Sequence, residues 1–189
     1  MTNGWIIAGI PVGAAALYAV VVFNRLVSLR SRANNAWSDI DVQLKRRWDL
    51  IPRLVETVRG YAAHESQTLE RTMQARNAAA RAQTPGAHGA AESHLSGCSF
   101  QILALAEAYP DLKADELFRS LHDDLVDVED HLQSARRYYN AVVRDLNTAI
   151  QRFPAVFIAR PFRFRPYEFF ELESSAEAAA PRVRLGDSS

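Results

Sequence analysis

Five histidines and one cysteine are the side chains with most capacity for chemistry in this 189-residue chain, and their spacing gives them little to do together. His122 and His131 are nine residues apart on one predicted helix, so they form neither an i,i+3 nor an i,i+4 pair, and no HExxH motif occurs. The carboxylates lack the Glu-x-x-His repeats by which helical bundles hold two metals. His88 and His94 lie in or near a Gly-rich segment. Cys98 follows His94 by one helical turn, a spacing open to a nucleophile and its base. Ser96, Gly97 and Ser99 surround it in a weakly patterned stretch, so the pair reads as chance neighbours. No Gly-rich phosphate loop is present, and a formal net charge of zero argues against a generally basic nucleic-acid binder. The expectation is a protein that is not an enzyme, with no catalytic or metal site, no cofactor, no nucleic-acid partner and no evident small-molecule substrate.

The elements around these residues are more telling. The first 24 residues carry no charged side chain, and Trp5 to Phe23 forms an apolar run of 19 residues, long enough to cross a bilayer as a helix. Trp5 at its edge suits the headgroup layer. A cleaved signal peptide is the first rival, but the n-region has no basic side chain and the run does not end in a small-x-small site. A soluble core helix is the second, but it would show a polar stripe. Arg25, Arg30 and Arg32 follow the run, so the positive-inside rule places the N-terminus outside and the rest in the cytoplasm.

Beyond the run the pattern is helical. Leu26, Leu29, Ala33, Trp37, Ile40, Leu44 and Trp48 fall on one stripe. Pro52 predicts an interruption near Asp49 to Pro52, or else the first position of a second helix reaching Gln83. In that second helix Leu54, Val58, Tyr61, Glu65, Leu69, Met73 and Arg76 continue a stripe. The segment Thr84 to Gly89 reads as a loop, residues 90–108 as a third helix, and Tyr109-Pro110 as its end, with a turn over 111–115. From Leu117 through Leu121, Leu125, Val128, Leu132, Ala135, Tyr139, Val142 and Leu146 to Ala149, near-heptad spacing predicts a long last helix ending near Pro154. Tyr61, Tyr109 and Tyr139 read as core aromatics whose hydroxyls reach backbone or carboxylate groups. Residues 25–59 are net basic and 111–130 net acidic, so the two segments read as solvated faces or as partners side by side.

The fold class is therefore all-α: an N-terminal transmembrane helix continuing into an antiparallel up-and-down bundle of about four long helices. The chain divides into residues 1–24 (N-terminus and anchor), 25–154 (bundle), 155–172 (aromatic, Arg-containing extension) and 173–189 (a tail expected to be disordered). Prolines 154, 161 and 166 keep the extension from forming one helix. Its aromatics either cover a groove of the bundle or form an interfacial or partner-docking strip. The candidate interaction surface comprises Asn34, Asn35, Asp39 and Asp41 off the first stripe, Asn140 and Asn147 one heptad apart, and Phe162, Phe164 and Phe169. Gly9 and Gly13 form a G-x-x-x-G face that could associate anchors.

The stretch Tyr18 to Tyr61, especially the run from Asn24 onward that contains NNAWSDID, resembles the opening of LemA family proteins. AEAYPDLKADELFRSL, residues 106–121, is similar to their middle motif, and SARRYYNAVVRDLNTAIQRFP, residues 134–154, to that of their last helix. The resemblance covers residues 18–172; it departs at Trp48, where the family more often has a smaller polar residue or His, and over 84–97. It implies a short extracytoplasmic N-terminus, one membrane helix and a cytoplasmic helical bundle in a bacterial inner membrane. It carries no catalytic residues. It associates the chain with envelope processes, sometimes beside a membrane metalloprotease, and with membrane organisation in magnetosome lineages. The expected role is a non-enzymatic scaffold or adaptor. The partners expected are the lipid bilayer and either further copies of the chain or another membrane protein. Self-assembly into a membrane-organising layer and regulation of a membrane protease are the alternatives.

Overall fold

The computed structural model describes residues 3–171, with side chains from Gly13 onward. The surroundings of Trp5 and of the Gly9 half of the G-x-x-x-G face, and the tail 173–189, lie outside that description. The helices are α1 (Asn3–Tyr61), α2 (Ser66–Arg81), α3 (Pro85–Ala108), α4 (Pro110–Ala114), α5 (Glu116–Gln151) and α6 (Val156–Ala159), and no strand occurs among the described residues. α1 has 59 residues, about 90 Å at 1.5 Å per residue. Its N-terminal part is apolar and long enough to cross a membrane, and little of that part is buried in the protein. Its C-terminal part packs along α5, while α2 packs on α3 and α1. Arg46 meets Asp124 at 2.8 Å, and Tyr61 at the end of α1 meets Asp115 just before α5, so α5 runs antiparallel to α1. The order is up-down-up-down, as expected, with the apolar run and the first bundle helix a single rod.

The stripes supply the core. Leu26, Ala33, Ile40, Leu44 and Trp48 of α1 are buried against Leu121, Leu125, Val128, Leu132, Tyr139, Val142 and Leu146 of α5. Leu117 departs from the expected seam and is exposed, because Phe118 takes the inward position in the first turn. Asp115 caps that turn by accepting from the Phe118 amide at 2.7 Å and from the Tyr61 hydroxyl at 2.8 Å. The Phe118 amide first, then Tyr61, holds the Asp115 carboxyl below its ordinary range. Tyr61 reaches the expected carboxylate, yet its ring is exposed at the end of the bundle.

The expected interruption near Pro52 does not occur, and the second helix does not begin there. α1 continues unbroken to Tyr61; the chain turns at Ala62, through a short 3-10 segment at Ala63–Glu65. A proline inside a helix leaves the carbonyl four residues earlier without its amide donor. That carbonyl belongs to Trp48, and Arg76 of α2 donates to it through Nε at 3.0 Å. A tertiary donor thus replaces the missing local one. Arg76→Ala is expected to lower stability by about 1–3 kcal/mol. The same change in a Pro52→Ala background should cost less, since the restored amide serves Trp48. Urea denaturation of the four combinations measures the coupling; identical costs would show that Arg76 does not answer for the freed carbonyl.

The predicted loop at residues 84–89 is also corrected. Thr84 caps α3, its hydroxyl accepting from the Ala87 amide at 3.3 Å, and Pro85 is the first helical residue. Proline is suited to that position because the amide it lacks would have no helical partner there. His88 and Gly89 are therefore buried helical residues rather than loop. The turn expected over 111–115 is mostly the short helix α4.

After α5 the chain turns through α6 and a Schellman closure. Phe164 N–H donates to Ala159 O and Arg163 N–H to Arg160 O, both at 3.0 Å, with Arg163 left-handed at φ 56°. From Phe164 to Glu171 the chain is an extended strap without regular secondary structure.

Candidate functional site

The strap lies along α5, and two asparagines hold it by its main chain. Asn147 accepts from the Tyr167 amide at 2.8 Å and donates to the Tyr167 carbonyl at 2.9 Å. Asn140 does the same to Phe170, at 2.9 and 3.0 Å. One heptad on α5 spans about 10 Å, the reach of three extended residues, so both clamps fit one peptide in register. Between them Tyr139 donates its hydroxyl to the Glu168 carbonyl at 2.9 Å. Burial, foremost, pushes the Tyr139 phenol up to about 12. Tyr167 in turn donates its hydroxyl to Asn34 of α1 at 2.9 Å. Phe170 is buried beside Trp37, whose ring centroid is 6.1 Å away, and Phe169 packs on the core. At the strap's end Glu171 crosses so close to Gly89 that a Cβ there would overlap its carbonyl.

The groove thus gathers Asn34, Asn140, Asn147, Phe164 and Phe169 from the predicted interaction surface. The remaining members stand apart from it. Asn35 and Asp39 are exposed on α1, Asp41 pairs with Lys45 at 2.6 Å, and Phe162 packs on Phe23 at 4.9 Å. Of the two readings of the extension, residues 164–171 follow the first and cover a groove. Beside the strap an open cleft of about 510 Å³ is lined by Asn34, Trp37, Pro85, Tyr139 and Tyr167.

Beneath the groove lies a buried polar cluster that sequence reasoning missed. Arg47 is 5% exposed and Glu92 is fully buried. Arg47 donates to Glu92 at 3.2 Å and to Ser96 at 2.8 Å, and pairs with Glu129 at 3.0 Å. The Trp48 indole donates to the other Glu92 oxygen at 2.7 Å. Burial raises the Glu92 carboxyl above its ordinary value, with Arg47 pulling the other way. Trp48 and two residues of the segment 84–97, Glu92 and Ser96, meet in this cluster. The segment pairing anticipated from charge also occurs here within one chain, at Arg46–Asp124 and Arg47–Glu129.

His88 stacks on Trp48 at 5.9 Å and packs against Trp37 at 5.6 Å, with Nδ1 buried and unpartnered. Burial lowers its pKa from 6.5, opposed by the Asp41 charge. The unfolded chain therefore binds this proton more readily than the folded one. Stability from His88 is present above 6.5 and is lost as pH falls through 6.5 toward the lower folded value. Denaturation midpoints between neutral pH and pH values below 6.5 should show this loss, and His88→Phe, which cannot titrate, should flatten that part of the profile. An unchanged slope would assign the dependence to other groups.

The His94–Cys98 pair has its Nε2 and Sγ 4.0 Å apart. Burial pushes the Cys98 thiol up, away from the thiolate a nucleophile requires.

Rod, bundle and strap define an all-α bundle protein with, among the described residues, one apolar helix long enough to span a membrane. The LemA family model matches residues 36–185, and the chain belongs to that family. It is similar to magnetosome protein MamQ of Magnetospirillum gryphiswaldense, 24% identical over 174 residues, 78% of this chain and 64% of that one. Magnetosome protein MamQ 2 of Paramagnetospirillum magneticum is 22% identical over 79% of this chain and 64% of its own length. Protein LemA of Metamycoplasma hominis is 26% identical over 69% of this chain and 60% of its own. The chain therefore spans less than two thirds of the length of these relatives.

Proposed function

We propose that this protein is a non-enzymatic membrane-anchored adaptor at the cytoplasmic face of the bacterial inner membrane, with its N-terminus outside. The orientation rests on Arg25, Arg30 and Arg32 after the apolar run. The adaptor role rests on the asparagine clamp. Asn140 and Asn147 engage main chain only, so an extended segment of another membrane protein, or of a second copy, can make the same four hydrogen bonds when it displaces the strap. The neighbouring cleft offers such a segment a further side-chain seat. Crosslinking in native membranes, followed by purification in mild detergent and mass measurement, tests the role. A defined homo-oligomer or partner is expected, with a yield that rises in Phe170→Ala, which loosens the strap, and falls in Asn140→Ala/Asn147→Ala. A monomer with no enriched partner in all three proteins would overturn it.

A second reading, self-assembly that organises the membrane, draws on the magnetosome relatives and on Gly13, beside which a Cβ would find nothing within 4 Å. Loss of the oligomer in Gly13→Leu would favour it; an unchanged oligomer would remove the anchor as the assembly interface.

A further inference from the structure

We propose that residues 152–165 form a second membrane contact, an aromatic and arginine foot that lies in the headgroup layer beside the anchor and engages anionic lipid. This segment carries four arginines, four phenylalanines and no acidic residue. Phe153, Phe157 and Phe162 are 76%, 69% and 60% exposed, and Phe153 and Phe157 stack edge to face at 5.9 Å. Three large apolar rings turned outward on one short segment form a patch that a water-soluble surface does not favour.

The position of the segment identifies what covers it. Phe162 and Phe164 pack on Phe23, the last residue of the apolar run, at 4.9 and 5.9 Å. The chain just after α5 reaches still further along that run, where Arg152 and Ala155 line one cleft with Tyr18 and Val22. Tyr18 to Phe23 is about 8 Å of helix, the depth of the boundary between headgroups and acyl chains. If α1 crosses the bilayer, as the adaptor reading requires, the foot is carried to that boundary without any hinge. Arg25, Arg152, Arg160 and Arg163 are exposed there; Asp145 lines the same cleft as Arg25 and Arg152, but none of the four arginines is within ion-pair range of a carboxylate among the described residues. Phenylalanines directed to the acyl boundary with arginines at phosphate level is the arrangement of an interfacial segment that selects anionic lipid. A protein partner has no comparable claim, because the patch is continuous with a surface that is itself lipid-facing.

The full-length chain, with Cys98→Ala and a single nitroxide label at Leu17→Cys, Phe157→Cys or Tyr138→Cys, is reconstituted in vesicles containing phosphatidylglycerol. All three sites are exposed, so labelling leaves the core intact. Collisions with oxygen and with a water-soluble nickel chelate report depth. Leu17 and Phe157 should both favour oxygen, Phe157 at the shallower depth, with a ratio several-fold above that of Tyr138. A Leu17 label in lipid with a Phe157 label as aqueous as Tyr138 would overturn the foot and leave the anchor standing. An aqueous Leu17 label would overturn the anchor itself. A Phe157 label shielded from both reagents would assign the patch to a protein contact, which also overturns the proposal. Equal depth in purely zwitterionic vesicles would overturn the assignment of the arginines to anionic headgroups.

Discussion

Arg47→Ala is expected to lower the free energy of unfolding by about 3–5 kcal/mol, the range for removing one member of a buried ion pair. Arg47 is 5% exposed and bridges Glu92, Ser96 and Glu129, so its loss leaves the fully buried Glu92 with only the Trp48 indole. An uncompensated carboxylate in the interior takes a proton rather than bear the whole desolvation penalty. The sign of the pH dependence follows. Burial already raises Glu92 above its ordinary 4.5 while Arg47 lowers it, so removing Arg47 raises it further. A carboxyl raised in the folded state is no liability below 4.5, and its stabilising effect is lost as pH rises through the folded value. The deficit of Arg47→Ala relative to the parent should therefore be smaller in mild acid than in mild alkali. The His88 contribution is common to both proteins and cancels in that difference. Glu92→Gln introduced into Arg47→Ala should recover part of the loss at alkaline pH, because a neutral amide is tolerated where the carboxylate is not. Urea denaturation at two pH values checks all of this. A deficit of about 1 kcal/mol or less would mean that water reaches the cluster.

The parts of this fold that were legible in the sequence are those governed by a repeating local signal. The stripe from Leu26 to Trp48 and the seam from Leu121 to Leu146 are buried, because a helix displays one face every three or four residues whatever it packs against. The errors share the opposite cause: in each, a distant residue overrides a local rule. Pro52 is a helix breaker by local chemistry, and only Arg76, 24 positions away, supplies the donor that lets α1 pass through it. Arg47 looks like one more basic residue beside Lys45 and Arg46 until α3 brings Glu92 and Ser96 to it. Thr84-Pro85 is a partial exception. Its cap and first-turn proline were local signals for a helix start, but the glycines at 86 and 89 gave the segment the look of a loop. In the groove, the one-heptad spacing of Asn140 and Asn147 was visible as a shared face. What that face holds was not, because main-chain recognition leaves no complementary pattern in the segment that is recognised.

Asn140→Ala combined with Asn147→Ala is expected to release the strap. Each asparagine donates one hydrogen bond and accepts another, and the four together amount to about 2–4 kcal/mol of local stability. Alanine cannot replace them, and the Tyr167 and Phe170 amides would then have to turn to water. Three reporters should move together. The Tyr167 and Phe170 amides should exchange much faster with solvent, while those in the middle of α5 change little, because the opening is local. Trp37, with Tyr139 at 5.4 Å and Phe170 at 6.1 Å, should emit as a more solvated indole. The Tyr139 phenol, pushed up to about 12 chiefly by burial, should ionise closer to its ordinary 10.0. Gly89→Ala approaches the same strap from the other wall of the groove, since its Cβ would displace the Glu171 carbonyl. It should free the strap's end and the Phe170 amide while leaving the Tyr167 amide held by Asn147. That difference separates a clamp from a simple apolar cover. If the strap were held by Phe170 alone, the asparagine variant would leave all three reporters where they are. Both amides would then respond only to Phe170→Ala.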